Sequence, residues 1–165
     1  MSGLTRILAM SAALLTLGGS LSASASAAPS PNRARADGFM NMTYTGFAAA
    51  AANRPTPFNW GTDGCSIPPQ VPLSPAVKYS LENLFRGPCK QHDFGYRNYG
   101  RGLKLGRDEG TRDWIDGRLL TEMRRVCARS FPSWWQAANK AACRGEANAF
   151  YVAVRNGARD VFYNG

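Results

Sequence analysis

Residues 88–99 read PCKQHDFGYRNY and contain the chain's only histidine, His92, followed by Asp93. Pro88 suits the first position of a helix, and the glycines that follow the stretch favour its end, so we predict a helix from about Cys89 to Tyr99. Neighbouring residues of a helix point about 100° apart, so His92 and Asp93 face different partners. On its own, a His-Asp dipeptide belongs more often to an exposed polar surface than to a functional site.

A second helix, predicted from about Asp108 to Arg129, offers His92 a partner. Its inward positions follow the spacing i, i+3, i+4, i+7, i+11 and are Asp116, Leu119, Leu120, Met123 and Cys127. An ionised carboxylate on such an apolar stripe is costly to bury alone. A His92–Asp116 pair would fix the tautomer of the imidazole and leave its second nitrogen to take a proton from water. The alternative is a shifted helix phase that puts Asp116 in solvent beside Asp113.

The rest of the chain also favours helices. One is predicted from about Met40 to Ala52, and another from about Ala141 to Arg155 with an inward stripe of Cys143, Ala147, Phe150 and Val154. Residues 60–75 are rich in glycine and proline, which predicts a long irregular loop. No run of alternating strand residues stands out. The patterns predict an all-α fold, a small helical domain with an irregular loop before its central helix.

Length, charge and composition indicate how the chain is organised. It has 165 residues, 20 basic and 11 acidic side chains and a formal net charge of +9, which fits one globular domain. Residues 1–27 predict a secretory signal peptide, because Arg6 precedes an apolar run and Ala25-Ser26-Ala27 forms a small-residue cleavage site. Residues 28–38 are Pro-rich and basic and are predicted to be a flexible leader or pro-segment. Export favours disulfides among the four cysteines, for which three pairings are open.

The single histidine limits the chemistry. It excludes mechanisms that need two imidazoles and zinc sites built on two or three histidines. The chain lacks a G-x-S-x-G motif, so we expect water as the attacking species and a cation to stabilise the oxyanion. Asp93 and Asp63, the second in a glycine-rich loop, are the candidate ligands. Two carboxylates with loop carbonyls and waters form a hard-oxygen site that suits calcium.

Three segments together resemble a known family. They are CKQHDFGYRNY at 89–99, TDGC at 62–65, and the stretch from Trp114 to Cys127 that starts with WID and ends with MRRVC. They are similar to the active-site helix, the calcium loop and the second catalytic helix of the secreted phospholipases A2 of the prokaryotic and fungal type. The likeness covers about residues 47–154. It implies a disulfide-linked all-α domain over residues 39–165 with two antiparallel catalytic helices.

The resemblance implies a calcium-dependent esterase that releases the sn-2 fatty acid from glycerophospholipids. His92 stands at the position of the general base, and Asp116 at that of its orienting partner. The implied calcium ligands are two side chains and one main-chain carbonyl, those of Asp63, Asp93 and Gly64. Family members often carry a bulkier apolar residue at the position of this glycine.

The implied partner is a phospholipid interface, and the implied disulfides are Cys65–Cys89 and Cys127–Cys143. We expect a secreted protein, with a monomer as the default state. A rival function is that of a toxin-like cationic protein that binds membranes without turnover, which the net charge and exposed tryptophans at Trp134-Trp135 would suit. For these two tryptophans we favour partial core packing, because large aromatic side chains are usually well buried. Nucleic acid is not expected as a partner, because the arginines are scattered and only Arg124-Arg125 are adjacent.

Overall fold

The computed structural model describes residues 28–65 and 74–164, without the side chains of residues 75–77. Within these ranges the regular structure is entirely helical, which confirms the predicted all-α class. The helices are α1 (Pro31–Asn41), α2 (Tyr44–Ala51), α3 (Pro75–Leu84), α4 (Arg86–Gly95), α5 (Glu109–Ser130), α6 (Ala137–Gly157) and α7 (Arg159–Tyr163). The predicted signal peptide and most of the predicted glycine- and proline-rich loop lie outside the described residues.

Helix α4 begins three residues before its predicted start and continues as a π-helical turn over Tyr96–Gly100. This turn packs against α7. A β-carbon at Gly100 would lie 2.2 Å from the carbonyl oxygen of Phe162, so only glycine permits the close approach. The predicted helix is therefore correct in place, and its last turn is widened where it meets the C-terminal helix.

Helices α5 and α6 form an antiparallel hairpin that supplies nearly half of the buried hydrophobic residues of the described chain. Asp108 caps α5 by accepting a hydrogen bond of 2.8 Å from the backbone N–H of Thr111. Both predicted inward stripes are confirmed, since the residues are buried, apart from Leu120, which is half-buried and packs against the core. The disulfide Cys127–Cys143 joins the two helices through these faces.

The N-terminal segment corrects the prediction of a flexible leader. Residues 31–38 belong to α1, in which Ser30 caps the helix by accepting from the N–H of Arg33 and Pro31 occupies the first turn. Ala36 and Met40 are fully buried in the core. The Pro-rich, basic composition favours irregular structure, whereas Pro31 begins a helix that is held by the burial of Ala36 and Met40.

The helix predicted over Met40–Ala52 is divided in two. Helix α1 ends at Asn41, and Thr43 caps α2 by accepting a hydrogen bond of 3.1 Å from the N–H of Gly46. Capping by a threonine side chain competes with continuation of the preceding helix. The chain therefore turns at this point, and α2 packs against α4.

The tryptophans between α5 and α6 also differ from expectation. Trp134 is 83% exposed and Trp135 is 69% exposed, so neither packs in the core. Both lie in a short 3-10 turn whose N-cap, Ser133, forms a capping box with Gln136. The capping hydrogen bonds fix the turn without help from the two indole rings.

In the parts of the chain that the structure describes, no helix combines the length and the apolar character needed to cross a bilayer.

Candidate active site

His92 and Asp116 meet between α4 and α5. The distance from His92 Nε2 to Asp116 Oδ1 is 2.7 Å, and the carboxylate is fully buried. The helices run antiparallel here, because Tyr99, seven residues after His92, packs on Trp114, two residues before Asp116. The structure thus brings together the two residues that the sequence pattern paired, and it excludes the alternative of a solvent-facing Asp116.

Three further residues hold Asp116, and the sequence patterns did not identify them. The hydroxyl of Tyr96 donates to Oδ1 at 2.8 Å, and Arg155 Nη1 donates to Oδ2 at 2.8 Å. Arg112 Nη1 lies 3.5 Å from Oδ2. Burial raises the pKa of Asp116. The hydrogen bonds from His92, Arg155 and Tyr96 and the charge of His92 lower it by more, so the pKa lies below its usual range.

The three partners of Asp116 differ in how well the sequence predicts their contact with it. Tyr96 follows His92 by one helical turn and shares its face, which was a usable signal. Arg112 stands four residues before Asp116 on α5, a spacing that brings two helical side chains together, so it also could have been found. Arg155 gave no signal, because its position depends on how α6 crosses α5. Glu109 extends the network by accepting from Arg112 at 2.6 Å and from Arg155 at 2.8 Å. The buried carboxylate therefore belongs to an ion network, not to an isolated pair.

The loop over residues 59–65 is fastened to α4 at three points. The disulfide Cys65–Cys89 closes its end. The side chain of Asn98 accepts from the N–H of Asn59 at 2.8 Å and donates to its carbonyl at 2.9 Å. Trp60 packs on Phe94 with ring centroids 4.6 Å apart. The loop is therefore held along α4, beside Asp93.

Asp93 and Asp63 lie close enough for their charges to interact. Burial raises the pKa of Asp93 to about 6, against a lowering hydrogen bond from Thr62, and the negative charge of Asp63 raises it further. The Thr62 hydroxyl donates to Asp93 Oδ2 at 2.5 Å, and Arg97 Nη2 lies 3.5 Å from Asp63 Oδ1. A bound cation would stabilise the ionised form of Asp93, which burial and the nearby negative charge disfavour.

Gly64 has a backbone φ of +85°, in the left-handed region. A β-carbon there would meet nothing within 4 Å, so the conformation, not crowding, favours glycine. Its N–H donates to the Thr62 hydroxyl at 3.0 Å. This geometry gives a physical reason for the glycine at a position where the family often has a bulkier residue.

A cation at this loop would have few protein side chains as ligands. Among the described residues, no group of three or more His, Cys, Asp or Glu side chains could hold a metal ion. Two carboxylates are available, and main-chain carbonyls and water must complete the coordination. Such an all-oxygen set with few charges fits calcium and does not fit a transition metal that needs nitrogen or sulfur.

One pocket of about 160 Å³ unites the predicted site residues. His92 and Asp93 line it together with Asp63 and Gly64, and Asp116 lies behind His92. The opposite wall is apolar and comprises Leu119, Phe150, Val154, Ala158 and Val161. No hydrogen bond to His92 Nδ1 is formed by any residue in the described ranges, so this nitrogen is available to a ligand or water.

Known proteins resemble the chain over most of this domain. The model of the prokaryotic phospholipase A2 family matches residues 37–158. The chain is 31% identical over 111 residues to a protein from Arthroderma benhamiae named "Secretory phospholipase A2", a match that covers 66% of this chain and 65% of that protein. No solved structure matches. Because the family model spans well over half of the chain and includes the His92–Asp116 pair, the chain belongs to the prokaryotic phospholipase A2 family.

Proposed function

We propose that the protein is a secreted, calcium-dependent phospholipase A2 that hydrolyses the sn-2 ester of glycerophospholipids to a free fatty acid and a lysophospholipid. The observation that carries the proposal is the hydrogen bond from His92 to the buried carboxylate of Asp116. His92 lines one pocket together with Asp63 and Asp93. Family membership and the name of the Arthroderma relative support the same reaction.

His92 is the proposed general base. With Nε2 bonded to Asp116, the tautomer that carries its proton on Nε2 is favoured, and Nδ1 can accept a proton from water. The water oxygen then attacks the ester carbonyl, and His92 returns the proton to the departing alkoxide of the lysophospholipid. Proton and electron pairs balance, because the acyl carbon gains the hydroxyl as it loses the alkoxide.

Asp116 is the proposed orienting residue. Its carboxylate stabilises the imidazolium that forms when Nδ1 is protonated, and it fixes the ring plane. Tyr96 and Arg155 occupy its remaining hydrogen-bonding positions. A buried carboxylate with several partners keeps its charge and its position while the neighbouring imidazole changes its protonation state.

Asp63, Asp93 and the carbonyl of Gly64 are the proposed calcium ligands. When bound there, calcium supplies positive charge for the substrate phosphate and for the oxyanion of the ester. The protein's part is to hold the two carboxylates together, through the disulfide Cys65–Cys89 and the hydrogen bond from Thr62. The glycine supplies a conformation that side chains rarely adopt.

The remaining lining of the pocket suits a phospholipid. Arg97 and Arg101 line the same pocket as His92, and the Nε atom of each is buried without a hydrogen-bond partner among the described residues. We infer that these guanidinium groups provide positive charge near the substrate phosphate. The apolar wall that includes Phe150 and Val154 suits the acyl chain.

Export is part of the proposal. The predicted signal peptide over residues 1–27, the two disulfides and the secretory name of the relative all support a protein that acts outside the cell. The substrate surface is then a phospholipid membrane or micelle, and we retain a monomer as the expected state.

The test is fatty-acid release from a phospholipid whose sn-1 and sn-2 chains differ. We expect only the sn-2 acid, with release abolished by a calcium chelator and by His92→Ala, for which the sequence holds no second imidazole. Asp113→Asn is a control for Asp116→Asn, because Asp113 is on the same helix and exposed. Vesicle binding without fatty-acid release would favour the rival function of a cationic membrane-binding protein.

A further inference from the structure

The connection between α5 and α6 carries two features that the proposed reaction does not use. The first is the exposed pair Trp134 and Trp135, whose rings meet edge to face at 5.8 Å. The second is charge. Residues 124–144, here called the hairpin tip, contain five basic residues and no acidic one, namely Arg124, Arg125, Arg129, Lys140 and Arg144.

The exposure of the tryptophans has a free-energy cost in water. Each indole has a large apolar ring system and one polar N–H, so it is most stable where an apolar phase meets water. Elsewhere in the described chain, the other two tryptophans, Trp60 and Trp114, are packed against the core. Exposure of both members of the pair is therefore a specific property of the hairpin tip, since the same residue type is covered at its other positions.

The cations of the hairpin tip are largely free of internal partners. Arg125 binds Glu122 at 3.0 Å, and Arg129 lies over the ring of Tyr44. In contrast, Lys140 and Arg144 have no acidic partner in the described chain, and Arg124 contacts only the neutral amide of Asn148. Arg124, Arg144 and Asn148 also line one shallow groove. Most of the positive charge is thus available to an external anion.

The turn of the hairpin tip, which carries the two tryptophans, is braced by a disulfide and is distant from the pocket. The disulfide Cys127–Cys143 joins the two helices at its base. Phe150, in the pocket wall, lies 14 residues beyond Gln136 along α6, which corresponds to about 20 Å at the rise of an α-helix. Next to the turn, the outer face of α6 carries small, exposed residues, namely Ala138, Ala142, Gly145 and Ala149. No bulky side chain on this face would keep a flat surface away.

We propose that the hairpin tip is a docking surface for anionic phospholipid membranes, separate from the catalytic pocket, with Trp134 and Trp135 inserted at headgroup depth. Lys140, Arg144 and Arg124 interact with the lipid phosphates. An exposed aromatic pair flanked by cations complements a surface that is apolar below and negative above. The docking surface would hold the enzyme at its substrate interface, and this consequence rests on the proposed function, whereas the binding itself does not.

Sedimentation with lipid vesicles tests the proposal, using the purified protein in the presence of a calcium chelator so that turnover plays no part. One set of vesicles contains phosphatidylcholine alone, and the other contains phosphatidylcholine mixed with phosphatidylglycerol. We expect binding to the anionic set, with a loss of more than about tenfold for the double variant Trp134→Ala/Trp135→Ala. Each of Arg124→Gln and Arg144→Gln should weaken binding roughly fivefold, and added salt should do the same.

Tyr79→Ala is the matched control, because Tyr79 is an aromatic residue that is 70% exposed on α3. Its binding should equal that of the unchanged protein, and all variants should keep its melting temperature. The proposal is overturned if the double tryptophan variant binds anionic vesicles as well as Tyr79→Ala does. It is also overturned if the protein binds a nucleic acid duplex and vesicles do not compete.

Hydrolysis of a short-chain phospholipid below its micelle concentration separates this proposal from the proposed function. The tryptophan variant should hydrolyse this monomeric substrate at the unchanged rate and lose rate only on anionic vesicles. If neither the unchanged protein nor the tryptophan variant hydrolyses the monomeric substrate, the proposed function fails. The vesicle-binding result still decides whether the hairpin tip is a docking surface. If the tryptophan variant loses both activities equally, the separate docking role is refuted.

Discussion

Arg155 binds the oxygen of Asp116 that His92 leaves free. Its Nη1 lies 2.8 Å from Oδ2, while His92 Nε2 lies 2.7 Å from Oδ1. Arg155 is in the last turn of α6, and its other amino group binds Glu109 at the start of α5. The open end of the hairpin, where α5 begins and α6 ends, thus orients Asp116 of the predicted catalytic pair.

Replacement of Arg155 by methionine should lower kcat with little change in KM. Arg155 does not line the pocket, so substrate contacts are retained, but Asp116 loses a charged partner and part of its orientation. We expect a loss of about 2 kcal/mol, roughly 30-fold in kcat, because Arg112 at 3.5 Å compensates in part. Arg155→Lys should recover part of the rate. An equal loss in Arg159→Gln, an exposed arginine of α7, would contradict the assignment.

How well the sequence predicts an interaction depends on whether local patterns determine which residues meet. The pairing of His92 with Asp116 could be predicted, because a carboxylate on an apolar stripe needs a partner and the chain has one imidazole. The role of Arg155 could not, because it depends on how α6 crosses α5, which brings together two residues that are 39 positions apart in the chain. Local patterns fix the faces of helices, and they contain no information on which distant cation meets a buried carboxylate.

The errors have similar causes. The Pro-rich, basic composition of residues 28–38 predicts a flexible leader, yet Pro31 begins α1, whose Met40 is buried where the helix packs on α4 and α5. Trp134 and Trp135 were expected to pack partly in the core, because size and hydrophobicity usually favour burial. Both are exposed in the short 3-10 turn that follows Ser133. Tertiary packing and turn geometry, which periodicity does not encode, decided both cases.

The stability difference between the unchanged protein and Asp116→Asn should depend on pH. The pKa of Asp116 is lowered in the folded state, so ionised Asp116 contributes stability above its unfolded pKa of about 4. That contribution is lost as the pH falls through the lower folded pKa. Urea unfolding should show the larger difference near neutral pH and a smaller one in acid. Asp113→Asn controls for the loss of one negative charge from α5, and an equal pH trend in that variant would refute the prediction.

Gly64→Ala should weaken calcium binding and destabilise the loop. A side chain at a φ of +85° costs about 1 kcal/mol or more, although the added methyl meets no neighbour. The strain would move the carbonyl proposed as a calcium ligand. Calorimetric titration with calcium should show lower affinity. Gly145→Ala, at a helical position that is equally open, is the control and should slightly stabilise the protein. Unchanged calcium affinity in Gly64→Ala would remove the carbonyl from the ligand set.

The two disulfides should have separable effects. Cys65 and Cys89 are 24 residues apart and Cys127 and Cys143 are 16 apart, so loss of either bridge should cost a similar amount, about 3 kcal/mol in the chain-entropy model. Their locations differ, because only the first fastens the loop of Asp63 to α4. The double variant Cys65→Ser/Cys89→Ser should therefore lose calcium affinity in conditions where it is still folded.

The matched variant Cys127→Ser/Cys143→Ser should keep calcium affinity and phospholipid hydrolysis at temperatures well below its melting temperature, because that bridge lies within the hairpin tip and does not line the pocket. Thermal unfolding and calcium titration of both variants, at one temperature where each is folded, make the comparison. If both variants lost calcium affinity to the same degree, the effect would reflect general destabilisation. The loop would then need no covalent bond to α4 to keep Asp63 near Asp93.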